Sequence, residues 1–488
     1  MTDLRFYFDG TNGTPVSGSV PISVMISKSD PPKDIGTLDF YYSDSFFMRS
    51  ACSYNHKLAI LSLGLTMSSF TYKNDGDKYT RSALHEMGFD DRTIESHRYD
   101  DQKSCEDTCG YIFGAKKLPD DFFLIPVVIR SHRYGGEWVS NAHAVEDDLP
   151  DFSAGFKKAA DEVYEALEKY IDRRGFDRER LRIWVCGYSR GGAVTNLLGA
   201  RLTFESGIGK DNVFAYSFAT PLTVYDRAAD FTDNIFNIIS EIDVVPRMPL
   251  RYWHLTRYGT DMIVPCKARR GAAEYTKLLG QMQTQFKKLM QELEVDADYV
   301  PLDDQELALD LLFDYIDDLL DTPEKYRDNG YQQLAMDYMR SKMSGDVFEL
   351  KKFLQFLLDG NEAMASDLCS LIDNWHELGG IEKMQRLGVM ISKRKSGDKS
   401  PATEIIFTLI GILFRYAAKY TATKVTGGAQ DYFYEQLVIL IVDTYQRGGD
   451  SLILQQHWPE VYLAWLLSAP ETELFRSGTY TRTCINIK

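Results

Sequence analysis

The sequence has no long uninterrupted apolar run. Its longest such stretch, Ile405 to Phe414, spans about ten residues and is interrupted by Thr408 and Gly411, whereas a membrane-crossing helix needs about twenty. We therefore expect no transmembrane span. The first residues also lack the basic and apolar segments of a secretory signal peptide, although a chain from which a signal had been removed would look the same.

Cysteine is scarce and follows no pairing pattern. The seven cysteines are scattered along the chain, and an odd number fits reduced thiols in an intracellular protein better than a disulfide framework. Cys105 and Cys109 are close in sequence, but no second pair lies at a zinc-like distance, so we expect no structural metal. These features predict a cytoplasmic protein, or a secreted one if a signal peptide has been trimmed.

Basic residues are too few to favour nucleic acid as a partner. The 488 residues include 55 Lys and Arg against 71 Asp and Glu, which gives a formal net charge of −16, so a polyanion would be repelled on average. The composition, 44% apolar and 13% aromatic, is nevertheless that of a folded globular chain. The length predicts one large core with an insertion, or two domains.

The residue pattern divides the chain into four parts. Residues 1–45 are rich in Gly, Pro, Ser and Thr and read as a lead-in of strands and turns. In residues 46–268, short apolar runs alternate with helical periodicity, which predicts an α/β sheet covered on its faces. Residues 269–450 change to long helical segments such as 307–321, which predict a helical insertion. Residues 451–488 are expected to return to the core.

The strongest motif lies in residues 181–200, LRIWVCGYSRGGAVTNLLGA. An apolar strand, a Gly-x-Ser-x-Gly turn and a helical run form the context of a nucleophile elbow. Gly187 and Gly191 flank Ser189 because a Cβ at either position would clash as strand and helix close on each other. The helix directs its first amides at a developing oxyanion, so the backbone N–H of Arg190 is expected to be half of an oxyanion hole. The alternative is a glycine-bearing turn without chemistry.

A serine nucleophile needs a histidine base and an acid, which follow in the order Ser, Asp, His in this architecture. Asp243 is the preferred acid because it stands just past the predicted strand 235–240, where a side chain faces the active-site edge of the sheet. Glu241 and Asp233 are the alternatives. Asp243 is otherwise read as an aspartate that caps a turn.

Three histidines follow the candidate acid, namely His254, His376 and His457. His457 is the preferred base because Pro459 predicts the first turn of a helix, and a residue just ahead of that turn lies in a loop. We expect His254 to be a satisfied polar residue beside the sheet. His376 is expected to be a helix-borne residue of the insertion.

These blocks resemble the class 3 lipase family, the fungal-type triacylglycerol lipase fold and its bacterial relatives. Residues 125–142 look like the family's strand that ends in Arg-Gly-Thr/Ser and is followed by a Trp. Residues 151–170 look like its His-x-Gly-Phe helix, and residues 241–249 resemble its Asp-x-Val-Pro block. The resemblance covers residues 40–265 and 450–470.

The resemblance implies an α/β-hydrolase sheet core with a large helical cap insertion between the catalytic Asp and His. It also implies a serine esterase or lipase, without a cofactor, that acts on acylglycerols or other lipid esters. Carried onto this sequence, the resemblance makes Ser189 the nucleophile, Asp243 the acid and His457 the base. The backbone N–H groups of His132 and Arg190 would form the oxyanion hole.

The sequence departs from the family pattern at three positions. Ser131 and His132 stand where the family has Gly and then Thr or Ser, which keeps the backbone donor but removes a side chain that often orients it. Ser153 replaces the His of the His-x-Gly-Phe block, outside the triad.

The long insertion bears on the substrate. Residues 269–450 contain eight methionines between 282 and 390, and flexible thioethers suit an adaptable apolar surface, although core filling explains them too. We expect the insertion to cap the site, where it could line an acyl-chain pocket or touch a lipid surface. The competing interpretations are a catalytically inactive hydrolase fold that binds a protein partner and, among enzymes, a phospholipase or a peptidase.

Overall fold

The chain divides into two compact units. The first comprises Met1–Pro249, His254–Tyr299 and Gln456–Lys488, and the second comprises Leu250–Trp253 and Val300–Gln455. The computed structural model describes residues 16–27, 35–70, 75–99, 108–131, 154–225, 232–243, 245–248, 255–266, 270–299, 370 and 455–478. Most of the predicted insertion lies outside these residues, so its role as a cap stays a prediction. Among the described residues, no helix has the length and apolar character that a membrane span requires.

The elements below belong to the first unit and are labelled in chain order. They are β1 (Ser17–Met25), β2 (Ile35–Ser43), α1 (His56–Ser68), α2 (Lys78–Glu86), β3 (Glu95–His97), β4 (Tyr111–Phe113), β5 (Lys116–Lys117), β6 (Phe123–Ile129), α3 (Ala154–Arg174), β7 (Leu181–Tyr188), α4 (Arg190–Glu205), β8 (Val213–Phe218), β9 (Val224–Tyr225), β10 (Ile235–Ile239), β11 (Leu255–Thr256), β12 (Thr260–Ile263), α5 (Ala272–Glu292), α6 (Pro459–Ser468) and β13 (Phe475–Gly478).

A nine-stranded mixed sheet forms the centre of this unit. Its strand order is β13-β12-β10-β8-β7-β6-β4-β3, and β5 pairs with β6. The five strands from β6 to β12 in this order run parallel, whereas β13 and the strands beyond β6 are antiparallel. Parallel neighbours need crossover connections, and α3 and α4 supply them on either side of β7. Beside the sheet, β1 and β2 form an antiparallel hairpin.

Side chains of the parallel strands alternate between two apolar layers. On β7, Ile183 and Val185 pack in a cluster with α3 and α4, while Trp184 and Cys186 pack in the cluster on the opposite face. This alternation follows from the two-residue period of a strand, and a parallel sheet buried on both faces explains why β7 reads as a continuous apolar run. The α/β architecture predicted from the sequence is therefore confirmed.

The second layer contains the β1–β2 hairpin and the helices α1, α2, α5 and α6. Tyr275 of α5 stacks on Trp465 of α6 with ring centroids 6.4 Å apart. Helix α5 begins inside the span 269–450, yet its apolar side belongs to the core of the first unit. This layer brings α6, which follows His457, against the face of the sheet that carries Tyr188.

Candidate active site

Ser189 is the single residue between the end of β7 and the start of α4. Its backbone has φ 54° and ψ −121°, a conformation that non-glycine residues rarely adopt and that persists only where the surroundings impose it. The Ser189 N–H donates to the carbonyl of Phe218 at 2.8 Å, and the Ser189 carbonyl accepts from the N–H of Ala193 at 3.0 Å. Strand β8 and the first turn of α4 thus hold the strained turn in place.

Three glycines allow this turn to form. A Cβ built on Gly187 would lie 2.2 Å from the carbonyl oxygen of Gly191, and one on Gly191 would lie 2.7 Å from the carbonyl oxygen of Ile129. A Cβ on Gly192 would lie 2.8 Å from the carbonyl oxygen of Phe218. No side chain fits at such distances from backbone atoms, so the close approach of α4 to β6, β7 and β8 requires glycine at each position.

Asp243 lies just beyond β10 and is fully buried. Its Oδ1 accepts a hydrogen bond from the N–H of Val245 at 2.9 Å, at the start of the 3-10 turn Val245–Arg247. The alternative acids have other partners, since Glu241 accepts from the thiol of Cys266 and Asp233 pairs with Lys210 at 3.0 Å.

His457 lies immediately ahead of α6 and joins the serine to the aspartate. Its Nδ1 is 2.8 Å from Oδ2 of Asp243, and its Nε2 is 2.9 Å from Oγ of Ser189. An ionised carboxylate only accepts, so Nδ1 carries the proton, and Nε2 of the neutral ring accepts from the serine hydroxyl. The structure thus brings together three residues that are far apart in sequence, whereas His254 and His376 lie outside the described residues.

Two tyrosines that sequence reasoning missed complete the hydrogen bonding. Tyr462, early in α6, donates to Oδ2 of Asp243 at 2.7 Å and accepts from the N–H of Ser240 at 3.1 Å. Burial first, and then the charge of Asp243, raise the pKa of Tyr462 well above its ordinary value. Tyr188 donates to the carbonyl of His457 at 2.9 Å. The sequence gives little sign of these roles, because a tyrosine next to an apolar segment is just as common in a hydrophobic core as beside an active site.

Arg190 occupies the first position of α4, where helix amides and the positive end of the dipole face outward. Its buried side chain also crosslinks two segments, because Nη2 donates to the carbonyl of Thr108 at 3.0 Å and to that of Gly155 at 3.4 Å. These bonds fix the residue whose N–H is the predicted oxyanion donor. Ser131 is buried at the end of β6, and His132, the predicted second donor, lies outside the described residues.

The described part of the chain contains no cluster of three His, Cys, Asp or Glu side chains suited to a metal ion. Its four described cysteines, Cys52, Cys109, Cys186 and Cys266, are not disulfide-bonded. The polar side chains of Ser189, His457 and Asp243 instead bind one another, which suits proton transfer and nucleophilic attack.

A serine on a strained strand-to-helix turn, set in a largely parallel sheet with helices on both faces, defines the α/β-hydrolase class. The model of the class 3 lipase family matches residues 127–253, about a quarter of the chain. This segment carries both Ser189 and Asp243. This match confirms the predicted resemblance to the class 3 lipase family and the predicted enzyme class, a carboxylic ester hydrolase.

Several solved structures are similar to parts of the chain. A Rhizomucor miehei lipase propeptide complex is 17% identical, with 44% of this chain and 71% of that chain covered and a TM-score of 0.32. A mono- and diacylglycerol lipase from Aspergillus oryzae is 16% identical, with 44% and 81% covered and a TM-score of 0.33. Lipase II from Rhizopus niveus is 15% identical, with 31% and 61% covered and a TM-score of 0.25. No curated protein matches the chain significantly.

Proposed function

We propose that this protein hydrolyses lipid esters through a Ser-His-Asp triad and an acyl-enzyme. Ser189 Oγ attacks the ester carbonyl while His457 Nε2 takes its proton, and the imidazolium then gives that proton to the leaving alcohol. Water attacks the acyl-enzyme by the same route and releases the acid. The observation that carries this proposal is the continuous row of hydrogen bonds, 2.9 Å from Ser189 to His457 and 2.8 Å from His457 to Asp243.

The surroundings of Asp243 support its role as the acid. Three groups donate to the buried carboxylate, namely the His457 ring, the Tyr462 hydroxyl and the Val245 amide. These donors replace water around the charge. A fixed carboxylate holds the imidazole in the tautomer that accepts from serine and stabilises the imidazolium that forms during attack.

Two backbone N–H groups are proposed to form the oxyanion hole. The N–H of Arg190 stands at the start of α4, and a helix N-terminus favours negative charge. Together with the backbone N–H of His132, it would stabilise the tetrahedral intermediate. Each such donor is worth about 10²–10³-fold in kcat in enzymes of this kind.

The substrate class follows from the family, and the finer assignment is a proposal. Class 3 lipase membership of residues 127–253 supports an ester of a lipid, and we favour an acylglycerol without specifying the acyl length. The insertion at 269–450 is proposed to cap the site and to contact the acyl chain or a lipid surface. We further propose a cytoplasmic location.

The test is hydrolysis of p-nitrophenyl esters from acetate to palmitate by the wild type, Ser189→Ala and His457→Ala. His85→Ala is a matched control because His85 is exposed and its Nδ1 lies 3.5 Å from a carboxylate oxygen of Asp91. We expect both triad variants to fold normally and to lose activity, while the control keeps it.

The chain-length profile then separates an esterase from a lipase. Unchanged turnover in His457→Ala would contradict the proposed base. Absence of turnover in the wild type with every ester would contradict the proposed activity.

A further inference from the structure

Arg257 lies between β11 and β12 and is 7% exposed. Its Nε donates to Oδ1 of Asp261 at 3.1 Å, and its Nη2 donates to Oδ2 at 2.8 Å. Paired bonds of this kind fix both the distance and the plane of a guanidinium. Asp261 is itself held by Asn237 of β10, whose Nδ2 donates to Oδ1 at 3.0 Å. Because Asp261 and Asn237 are on strands of the sheet, the sheet fixes the position of Nη1, the third nitrogen of the Arg257 guanidinium.

That nitrogen, Nη1, joins two segments that are distant in sequence. It donates to the carbonyl of Thr220 at 2.9 Å and to the carbonyl of Pro246 at 2.8 Å. Thr220 packs directly on the nucleophile elbow, since a Cβ on Gly192 would lie 2.7 Å from its Oγ1. Pro246 follows Val245, whose N–H holds the carboxylate of Asp243.

The charge of Arg257 also reaches the acid's hydrogen-bond partner. Burial and the charge of Asp243 raise the pKa of Tyr462, and the positive charge of Arg257 opposes part of that rise. Arg257 thus bonds to the loop that carries Asp243 and also influences the pKa of the tyrosine that donates to Asp243.

We propose that Arg257 is a positioning residue that fixes the acid loop relative to the nucleophile elbow. This inference rests on the triad assigned in the proposed function. Asp261 fixes the guanidinium, and the guanidinium bonds to the carbonyl of Thr220 beside the elbow and to the carbonyl of Pro246 beside the acid. Removing these bonds lets the Asp243 loop shift, so that the imidazole is less well aligned with Ser189. Misplacement of a catalytic group by about 1 Å costs about 10²-fold in rate.

The test compares Arg257→Met and Arg257→Lys with the wild type in steady-state ester hydrolysis. Lysine keeps the charge but has three donors and no fork, so it cannot replace the four bonds of Arg257. We expect kcat to fall by about 10²-fold in the methionine variant and by a smaller factor in the lysine variant. KM should stay close to the wild-type value, because the proposed role of Arg257 acts on the alignment of the triad and not on ester binding.

Arg174→Lys and Arg174→Met are the matched controls. Arg174 is also largely buried, pairs with Glu95 at 3.1 Å and donates to a backbone carbonyl, but it lies at the end of α3. A purely structural role predicts the same pattern for both arginines, namely lower stability with unchanged kcat per folded molecule. That pattern at Arg257 would overturn the inference.

Asp261→Asn serves if the Arg257 variants do not fold. It keeps the shape of the side chain and weakens the two hydrogen bonds that Asp261 accepts from Arg257. We therefore expect kcat to fall while KM stays unchanged. Wild-type kcat in folded Asp261→Asn would count against the inference. Ser189→Ala, measured in parallel, distinguishes failure of the triad from failure of the Arg257 proposal. Activity in Ser189→Ala would refute the triad. An inactive Ser189→Ala together with wild-type kcat in Asp261→Asn would refute only the role of Arg257.

Discussion

Two buried aspartates of the first unit have the same kinds of partner but different surroundings. Asp44, beside the end of β2, accepts from Lys116 Nζ at 2.8 Å and from the Tyr42 hydroxyl through Oδ1. Its Oδ2 accepts from the N–H of Val16 at 2.8 Å. This cluster fastens the β1–β2 hairpin to β5 at the edge of the sheet.

Asp243 repeats that arrangement at the candidate site. One oxygen accepts from His457 and from the hydroxyl of Tyr462, and the other accepts from the backbone of Val245. Each carboxylate therefore accepts from one side-chain nitrogen, one tyrosine hydroxyl and one backbone N–H.

The difference lies beyond the nitrogen donor. Lys116 also donates to the carbonyl of Met87 at 2.7 Å and lies 4.9 Å from the ring centroid of Tyr42, so its bonds are all structural. His457 has a second ring nitrogen, which faces Ser189 on the strained elbow. A buried aspartate with a tyrosine is therefore not a catalytic signature by itself. The distinguishing feature of the candidate site is a histidine whose two ring nitrogens contact the aspartate and the serine.

The largest expected effect is on catalysis, in Asp243→Asn. The asparagine cannot hold the productive tautomer of His457, and the corresponding change in a serine protease triad lowers kcat about 10⁴-fold. Asp44→Asn should leave kcat per folded molecule unchanged. Steady-state hydrolysis at saturating ester checks both, and similar kcat values for the two variants would erase the distinction between the two aspartates.

The next effect is on stability, in Asp44→Asn. This change leaves the ammonium of Lys116 buried without its counter-charge, and breaking a buried pair from one side costs about 3–5 kcal/mol. Urea unfolding monitored by circular dichroism should show this loss. The double variant Asp44→Asn/Lys116→Met should recover much of it, because the charge is removed; no recovery would show that the pair is not the cause.

The two tyrosines give a smaller contrast. Tyr462→Phe removes one hydrogen bond to the charged acid, a bond worth about 1.5 kcal/mol or more, so kcat should fall about tenfold. Tyr42→Phe removes the equivalent bond from Asp44 and should change only stability. Equal kcat in Tyr462→Phe and the wild type would show that Tyr462 has no part in orienting the acid.

The smallest expected effect concerns Glu460, a buried carboxylate that has no cationic partner among its described contacts. It accepts from the N–H and the hydroxyl of Ser27 at 2.8 and 2.7 Å. Burial raises its pKa, and the bonds from Ser27 oppose that rise. The folded chain therefore disfavours the ionised form relative to the unfolded chain, and this contribution to stability declines as pH rises from the ordinary glutamate pKa to the raised one.

Glu460→Gln removes the loss of stability that Glu460 causes as pH rises, because glutamine does not ionise. The amide group can still form hydrogen bonds with Ser27. The variant should be more stable than the wild type at pH 7, and the difference should shrink as pH approaches the ordinary glutamate pKa. Thermal unfolding at a series of pH values measures this. Glu179→Gln, at an exposed glutamate, is the control, and a pH-independent difference between Glu460→Gln and the wild type would show that the raised pKa of Glu460 is not the cause.

The sequence predicted those features that depend on neighbouring residues. The glycine pattern around Ser189 dictates a strand, a turn and a helix, and the alternating segments dictate a covered parallel sheet. Asp243 and His457 were selected because one follows a strand and the other precedes a proline that starts a helix. The structure places both side chains in one hydrogen-bonded row with Ser189, and their catalytic roles stay a prediction.

The remaining features depend on long-range packing that no local pattern records. Tyr462 and Arg257 act through partners brought in by other segments, so neither stands out in sequence. Helix α5 has an amphipathic pattern, but periodicity does not say that its partner is α6. The Asp44 cluster was missed for the same reason, since its lysine lies in a short edge strand.

Covalent labelling with a fluorophosphonate, followed by mass spectrometric mapping of the adduct, tests directly whether Ser189 is an activated nucleophile. Only a serine activated by a base reacts readily. We expect a single adduct on Ser189 in the wild type, greatly slowed labelling in His457→Ala and no adduct at that position in Ser189→Ala. An unlabelled wild-type chain, or an adduct on another serine, would contradict the proposed role of Ser189.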